Sequence, residues 1–187
     1  MDKQKKADKS GRYINTLVSS YFCKMRGGRC ANSPVITWSG LLVTAVGSLT
    51  GIGSVALLSA YYSLPLLLPS FGVTAVLLYA ACHVPMAQPR NVVGGHLVSA
   101  LMGVLSYQLF GSAWWVIALG VTAAILAMII TRTLHLPGGA TAFLAVYNGQ
   151  NFGFILSPVG IGAICLVVIA VLVNNLSSRC RYPDYWF

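Results

Sequence analysis

Residues 35–62 read VITWSGLLVTAVGSLTGIGSVALLSAYY and carry no charged side chain. As a helix rising 1.5 Å per residue, the run exceeds the ~30 Å hydrocarbon core of a bilayer. It offers no polar face to water, so a soluble fold would have to bury it on every side. The chain around it has the same character. Between Cys30 and Ser178 the charged residues are Arg90 and Arg132, and neither Asp nor Glu occurs. Over all 187 residues, 57% are hydrophobic and 8% charged, against roughly a quarter charged in a soluble domain. An all-α integral membrane protein is therefore expected, with the lipid bilayer as its first partner.

Working outward from the first run, candidate spans fall at 35–62, 66–84, 91–110, 112–131, 137–149 and 154–176. The fifth is short, either a half-span or a re-entrant hairpin. Pro65, Pro69 and Gly72 interrupt the start of the second. Residues 1–34 read as a basic cytoplasmic tail. Within it, Tyr13, Ile14, Leu17, Val18, Tyr21 and Phe22 recur at helical spacing over 11–25, as in an amphipathic helix lying at the membrane surface. Residues 35–178 form the transmembrane domain and 179–187 a cytoplasmic C-terminal tail. No cleavable signal peptide is expected, because the basic stretch runs too long before the first apolar run.

Charge orients the spans. Eight of the twelve basic residues lie in the first thirty positions. With the N-terminus in the cytoplasm and six crossings, Arg90, Arg132, Arg179 and Arg181 also fall inside, as the positive-inside rule requires. The +9 net charge thus belongs to topology and lipid contact, and no nucleic-acid partner is expected.

Sliding the chain on itself by 67 positions sets Gly53 on Gly120, Gly72 on Gly139, Thr74 on Thr141 and Gly95 on Gly162. One offset relates spans one to three (about 35–110) to spans four to six (about 111–178). A unit of three crossings is odd, so the second copy would be inverted, the arrangement of transporters with a site near the midplane. The matched segments Phe71-Gly-Val-Thr-Ala75 and Gly138-Gly-Ala-Thr-Ala142 each follow a proline, Pro69 or Pro137. Each reads as a helix starting inside the membrane, exposing backbone N–H groups and a partial positive charge. Gly72, Gly138 and Gly139 would let a ligand approach the backbone, and Thr74 and Thr141 would add hydroxyl donors. Two opposed starts would suit a small anion; the alternative is that Gly and Thr only allow close helix packing. The missing intramembrane carboxylates favour an anion over a cation.

His96, early in the third span, is a candidate ligand or proton carrier, or a structural hydrogen-bonding residue. Gln88, Arg90, Asn91, Arg132 and His135 are placed at the inner mouth, either drawing anions in or anchoring the interface. Gly47 with Gly51, and Gly95 with Ser99 and Gly103, form small-residue stripes suited to helix packing or a homo-oligomer. The five cysteines show no CxxC and no metal-type spacing, and are read as free thiols. No metal and no cofactor is expected. Nor is an enzyme: a carboxylate pair is missing, and a Ser99–His96 pair would lack an acidic orienter in the membrane.

The run Pro85-Met-Ala-Gln-Pro-Arg-Asn-Val-Val-Gly-Gly-His96 makes the chain recognisable. With Pro69-Ser-Phe-Gly-Val-Thr-Ala75, His135-Leu-Pro-Gly-Gly-Ala-Thr-Ala142 and Lys24-Met-Arg-Gly-Gly28, it resembles the HPP family of integral membrane proteins over about residues 20–176. The family's His-Pro-Pro motif stands here as His135-Leu136-Pro137. The family is usually described with four spans; six are retained here, since short interrupted spans escape hydropathy. The resemblance implies nitrite transport, because plastid and cyanobacterial members are similar to nitrite transporters. Nothing resembles a transit peptide, which points to a bacterial inner membrane. The expected function is a channel or carrier for a small inorganic anion, nitrite first. The alternatives are a membrane sensor or scaffold without transport, or a transporter of another small solute such as formate.

Overall fold

The computed structural model describes residues 37–62, 66–176 and 180–186. The basic tail over 1–34 and its expected amphipathic helix lie outside the described residues. Among those described, six helices and no strand are present. We name them α1 (Trp38–Tyr62), α2 (Pro69–Ala80), α3 (Pro89–Phe110), α4 (Trp114–Ile130), α5 (Leu136–Tyr147) and α6 (Ile155–Asn174). They match the six runs expected from the sequence.

By length and composition, α1, α3 and α6 can each cross a membrane. α2 and α5 are shorter, at about 18 Å for twelve residues each. Both carry a proline in the first turn, as does α3. There its missing N–H costs nothing and its fixed φ suits a helix start. α2 ends in a π-helical turn, Val76–Ala80. The carbonyls loosened there find side-chain donors on neighbours: Asn174 Nδ2 donates to Leu78 O at 2.9 Å, and Thr44 Oγ1 to Tyr79 O at 2.9 Å. α6 opens with a π-helical stretch, Ile155–Gly160, kinked at Ser157 ahead of Pro158.

α1 turns most of its apolar surface outward, with Trp38, Leu42, Leu49 and Leu57 exposed, while Gly40, Gly47, Gly51 and Val55 are buried. The Gly47–Gly51 stripe is a groove for one ring. A Cβ on Gly47 would sit 2.6 Å from Tyr79 Cδ1, and one on Gly51 would overlap the Tyr79 hydroxyl. That hydroxyl donates to Leu166 O on α6 at 3.2 Å. A core of Val55, Phe71, Ala75, Leu78, Val92, Ala163 and Leu166 joins α1, α2, α3 and α6, and a second, of Ala100, Val104, Ala145, Phe154 and Val159, joins α3, α5 and α6.

One end of the bundle gathers three connections. Arg90 Nη2 donates to Thr131 O at 3.3 Å, Asn91 Nδ2 to Leu134 O at 2.9 Å, and the C-terminal segment crosses beneath both. In that segment Tyr182, 1% exposed, donates its hydroxyl to Ala87 O at 2.7 Å. Burial raises its phenol above the ordinary tyrosine value, so it stays a donor. The Asn175 amide brackets the Tyr182 backbone, and Asp184 N donates to Gln88 Oε1 at 2.9 Å. The segments after α2, after α4 and after α6 therefore share an end, with α5 and α6 forming an up-and-back pair.

The cysteine expectation needs correcting. Cys82 and Cys180 are joined in a disulfide across 98 positions, and Cys165 is a free thiol. Cys23 and Cys30 lie outside the described residues. The pairing follows from the C-terminal segment packing under the 81–88 connection, which no local spacing encodes.

Two glycines on α1 give a direct test of the packing. Gly51→Leu should destabilise the purified protein by about 1–3 kcal/mol through overpacking against Tyr79. Gly53→Leu meets open space and should leave the thermal unfolding midpoint in detergent unchanged.

Candidate functional site

The first two turns of α2 and α5 lie side by side and antiparallel, against α3. Ser70 faces Thr141, and Thr74 faces His135, the residue that precedes Leu136 at the start of α5. His96 of α3 reaches between them. Ser70, Thr74, His96, His135 and Thr141 are each 0% exposed. An isolated polar group in such an interior costs several kcal/mol, so each must find a partner.

The partners form one chain. His135 Nδ1 lies 2.8 Å from Met86 O, and its Nε2 3.0 Å from Thr74 Oγ1. Thr74 Oγ1 lies 2.8 Å from His96 Nε2, and His96 Nδ1 2.8 Å from Thr141 Oγ1. Thr141 Oγ1 lies 3.1 Å from Ser70 Oγ. The two imidazole centroids are 4.8 Å apart, and Phe71 presents an edge to His96 at 5.3 Å.

Proton positions follow from what each group can do. A carbonyl only accepts, so Met86 O requires a proton on His135 Nδ1. With both imidazoles neutral, His135 Nε2 is then bare and accepts the Thr74 hydroxyl hydrogen. Thr74 has spent its only hydrogen, so His96 donates to it from Nε2. His96 Nδ1 is bare in turn and accepts from Thr141, whose hydroxyl is also placed to donate to Ser70 Oγ. The order runs one way, from Thr141 through His96, Thr74 and His135 to Met86, with Ser70 Oγ beside its first member. Thr74 also lies 3.1 Å from Ser70 O and Thr141 3.4 Å from Pro137 O. Those are helical carbonyls facing a backbone N–H four residues on, and they can do without a hydroxyl.

Glycines let these segments close up. A Cβ on Gly95 would overlap His135 Cβ, and one on Gly162 would overlap the Phe71 ring. One glycine on α3 thus admits the start of α5, and one on α6 admits the start of α2.

Of the residues singled out from sequence, Thr74, Thr141 and His96 meet in the chain. His135, placed at the inner mouth from sequence, belongs to this interior cluster, because Gly95 lets the 133–135 connection pass tight against α3. Gly72 turns away: it is exposed, with nothing within 4 Å of a Cβ position. Gly139 meets only Val121 Cγ1, at 4.0 Å. Gly138 is a packing glycine, with Met128 Sδ 2.9 Å and Gly95 O 3.2 Å from its Cβ position. Gln88 is buried, not lining a vestibule: its Nε2 donates to Cys82 O at 3.0 Å and its Oε1 accepts from Asp184 N. Arg90 and Asn91 hold the connection after α4 through Thr131 O and Leu134 O. Arg132 is exposed, at φ +56°.

Sequence reasoning missed Ser70, whose signal was its place in the first turn after Pro69. It also missed a trio at the closed end of the bundle. Ligand-type atoms of Cys82, His83 and Cys180 lie within 4.8 Å of one another, with the two sulfurs joined. A separate apolar groove of about 540 Å³ between α3 and α6 is lined by Arg90, Val93, Ile164, Val168 and Trp186. It shares no residue with the buried chain, and its apolar walls suit acyl groups better than an inorganic anion.

The sequence matches the HPP transmembrane region over residues 33–183. It is similar to two transmembrane proteins of Dictyostelium discoideum, at 36% and 34% identity over 93% of this chain. The chain spans 61% and 66% of the length of these curated relatives. No solved structure matches. A match over nearly the whole helical bundle, with the Gln88–His96 run forming the start of its central helix, shows that the chain belongs to the HPP transmembrane family.

Proposed function

We propose that this protein passes a small inorganic anion, nitrite first, through the bundle at the place where α2 and α5 begin. The observation that carries this reading is the buried chain itself. Five polar side chains from three segments converge where an apolar bundle would otherwise pack Leu and Val, and none is a carboxylate. Hydroxyl and imidazole N–H groups are what an anion accepts from, while a cation would look for carboxylates or bare carbonyls.

The arrangement also supports the inverted-repeat architecture with six crossings. At the offset of 67, Thr74 answers Thr141 and Gly95 answers Gly162. Each glycine receives the start of the other unit's short helix. α2 and α5 are both too short to cross alone, and they begin beside one another, as interrupted helices do at a midplane site. We place the end carrying Arg90, Arg132 and Arg181 in the cytoplasm, together with both termini. The relatives matched are amoebal, so the bacterial inner membrane rests on the sequence-based expectation alone. A carrier role makes no demand for a cofactor or a catalytic residue, and the exposed apolar faces of α1 leave room for lipid or a second copy.

One observation favours a different role. Every member of the chain is bonded to another group of the protein, which is also how polar residues hold helices together in a sensor or scaffold. Thr74→Val with Thr141→Val separates the two. Valine keeps the shape and removes the hydroxyls. For an anion site, nitrite entry into liposomes should fall at least about tenfold while the protein stays monodisperse, since even one lost hydrogen bond is worth ~1.4 kcal/mol. For helix glue alone, wild-type protein shows no entry above empty liposomes, and the double variant loses its fold.

A further inference from the structure

Resting on the anion-transport reading, we propose that the site takes up one proton with each anion, and that the protein is an electroneutral proton–anion symporter rather than an anion channel. The hydrogens on the two threonines point to it. In the neutral chain both are already given to bare ring nitrogens: Thr141 to His96 Nδ1 and Thr74 to His135 Nε2. The remaining imidazole hydrogens go to Thr74 from His96 and to Met86 O from His135. An anion accepts and never donates, so at the threonines it can enter only by stripping a buried ring nitrogen of its donor.

One added proton changes that. Placed on His96 Nδ1, it turns the ring into a donor at both nitrogens. Thr141 then accepts from His96, and its own hydroxyl hydrogen is released. Placed on His135 Nε2 instead, the proton makes Thr74 an acceptor from both rings, and the Thr74 hydrogen is released. In either case one bond to a bare ring nitrogen is exchanged for a bond from it. One hydroxyl, on one of the two threonines related by the 67-residue offset, gains a hydrogen to donate to the anion. The anion restores neutrality in an interior where a lone imidazolium or a lone anion would each be costly.

The surroundings hold no other group to supply that charge. α2 presents Ser70, Phe71 and Thr74; α5 presents Thr141; α3 presents His96; and the 133–135 connection presents His135. Among the described residues, no carboxylate or basic side chain is bonded into the chain. Arg90 is committed to Thr131 O, and Arg132 faces outward. The two imidazoles are therefore the proton acceptors, sharing one proton across Thr74.

The test uses the full chain in liposomes, with nitrite as probe and initial rates read above empty liposomes. A valinomycin-set potassium potential of either sign should leave the rate unchanged. Acid outside by one pH unit should drive protein-dependent accumulation by about tenfold. A lone monovalent anion would behave otherwise, accumulating about fiftyfold at ~100 mV, inside positive. Uptake that follows the potential overturns the coupling and leaves anion transport standing. No protein-dependent uptake from folded protein overturns both. His96→Gln keeps a hydrogen-bonding side chain but cannot take a proton. Folded His96→Gln protein should lose acid-driven uptake, and retention of it would overturn the role given to the histidine chain.

Discussion

The Met86 carbonyl can only accept, and that one-way bond orders the polar interior of the bundle. It fixes the proton on His135 Nδ1, which fixes the direction of the ring nitrogens and threonine hydroxyls up to Thr141. Had the chain ended on a hydroxyl at both ends, it could run either way, and no hydroxyl would have an assigned donor role. The position of Met86 therefore matters through its backbone carbonyl. It sits in a 3₁₀ turn, Pro85–Ala87, that is braced from below by the C-terminal segment. Tyr182 holds Ala87 O, Gln88 is gripped between Cys82 O and Asp184 N, and the Cys82–Cys180 disulfide closes the same end. The floor of the bundle and the proton order of its interior are thus one structure.

The same constraint explains why two helices are short. A continuous span would bury its backbone along its whole length and leave mid-depth to apolar side chains. By starting at Pro69 and Leu136, α2 and α5 bring the hydroxyls of their first two turns to the middle of the bundle, while the extended residues before α5 are covered by α3. Backbone outside a helix is tolerated at such depth only when protein covers it. Gly95 provides that cover, and Gly162 seats the Phe71 ring of α2, each by allowing contact that a Cβ would forbid. Packing and polarity are not separate features here, because the glycines that close the bundle also set Thr74, His96 and His135 within bonding distance.

Much of this was readable from the chain. All six helical runs were placed by apolar length and by proline and glycine interruptions. Thr74 and Thr141 were found because an offset of 67 matches them within interrupted segments, and His96 because a histidine in an apolar span demands a partner. The failures have physical causes. Gly72 and Gly139 stand at the expected helix starts, but helical rotation turns them away from the axis where the threonines meet. Residue spacing indicates a start without indicating which face is inward. His135 reads as a mouth residue because it precedes Pro137 at the start of a span, whereas depth is decided by the packing of the 133–135 connection on Gly95. The disulfide was invisible because its halves are brought together by the whole fold.

Sequence register and hydrogen-bond direction pull against each other in this cluster. The offset of 67 sets Thr74 on Thr141, yet the two threonines have different partners. His96 has no counterpart, since the offset sets Ala163 against it. The second imidazole, His135, comes from one unit alone, where the other has Leu68. Both rings therefore lean the hydrogen-bond order toward the Met86 end. Thr141 stands between one ring and the Ser70 hydroxyl, while Thr74 lies between two rings. Positions matched in sequence have become unequal donors, because the chain of bonds ends on a carbonyl at one side only, and its direction is written by that single acceptor, which cannot turn around.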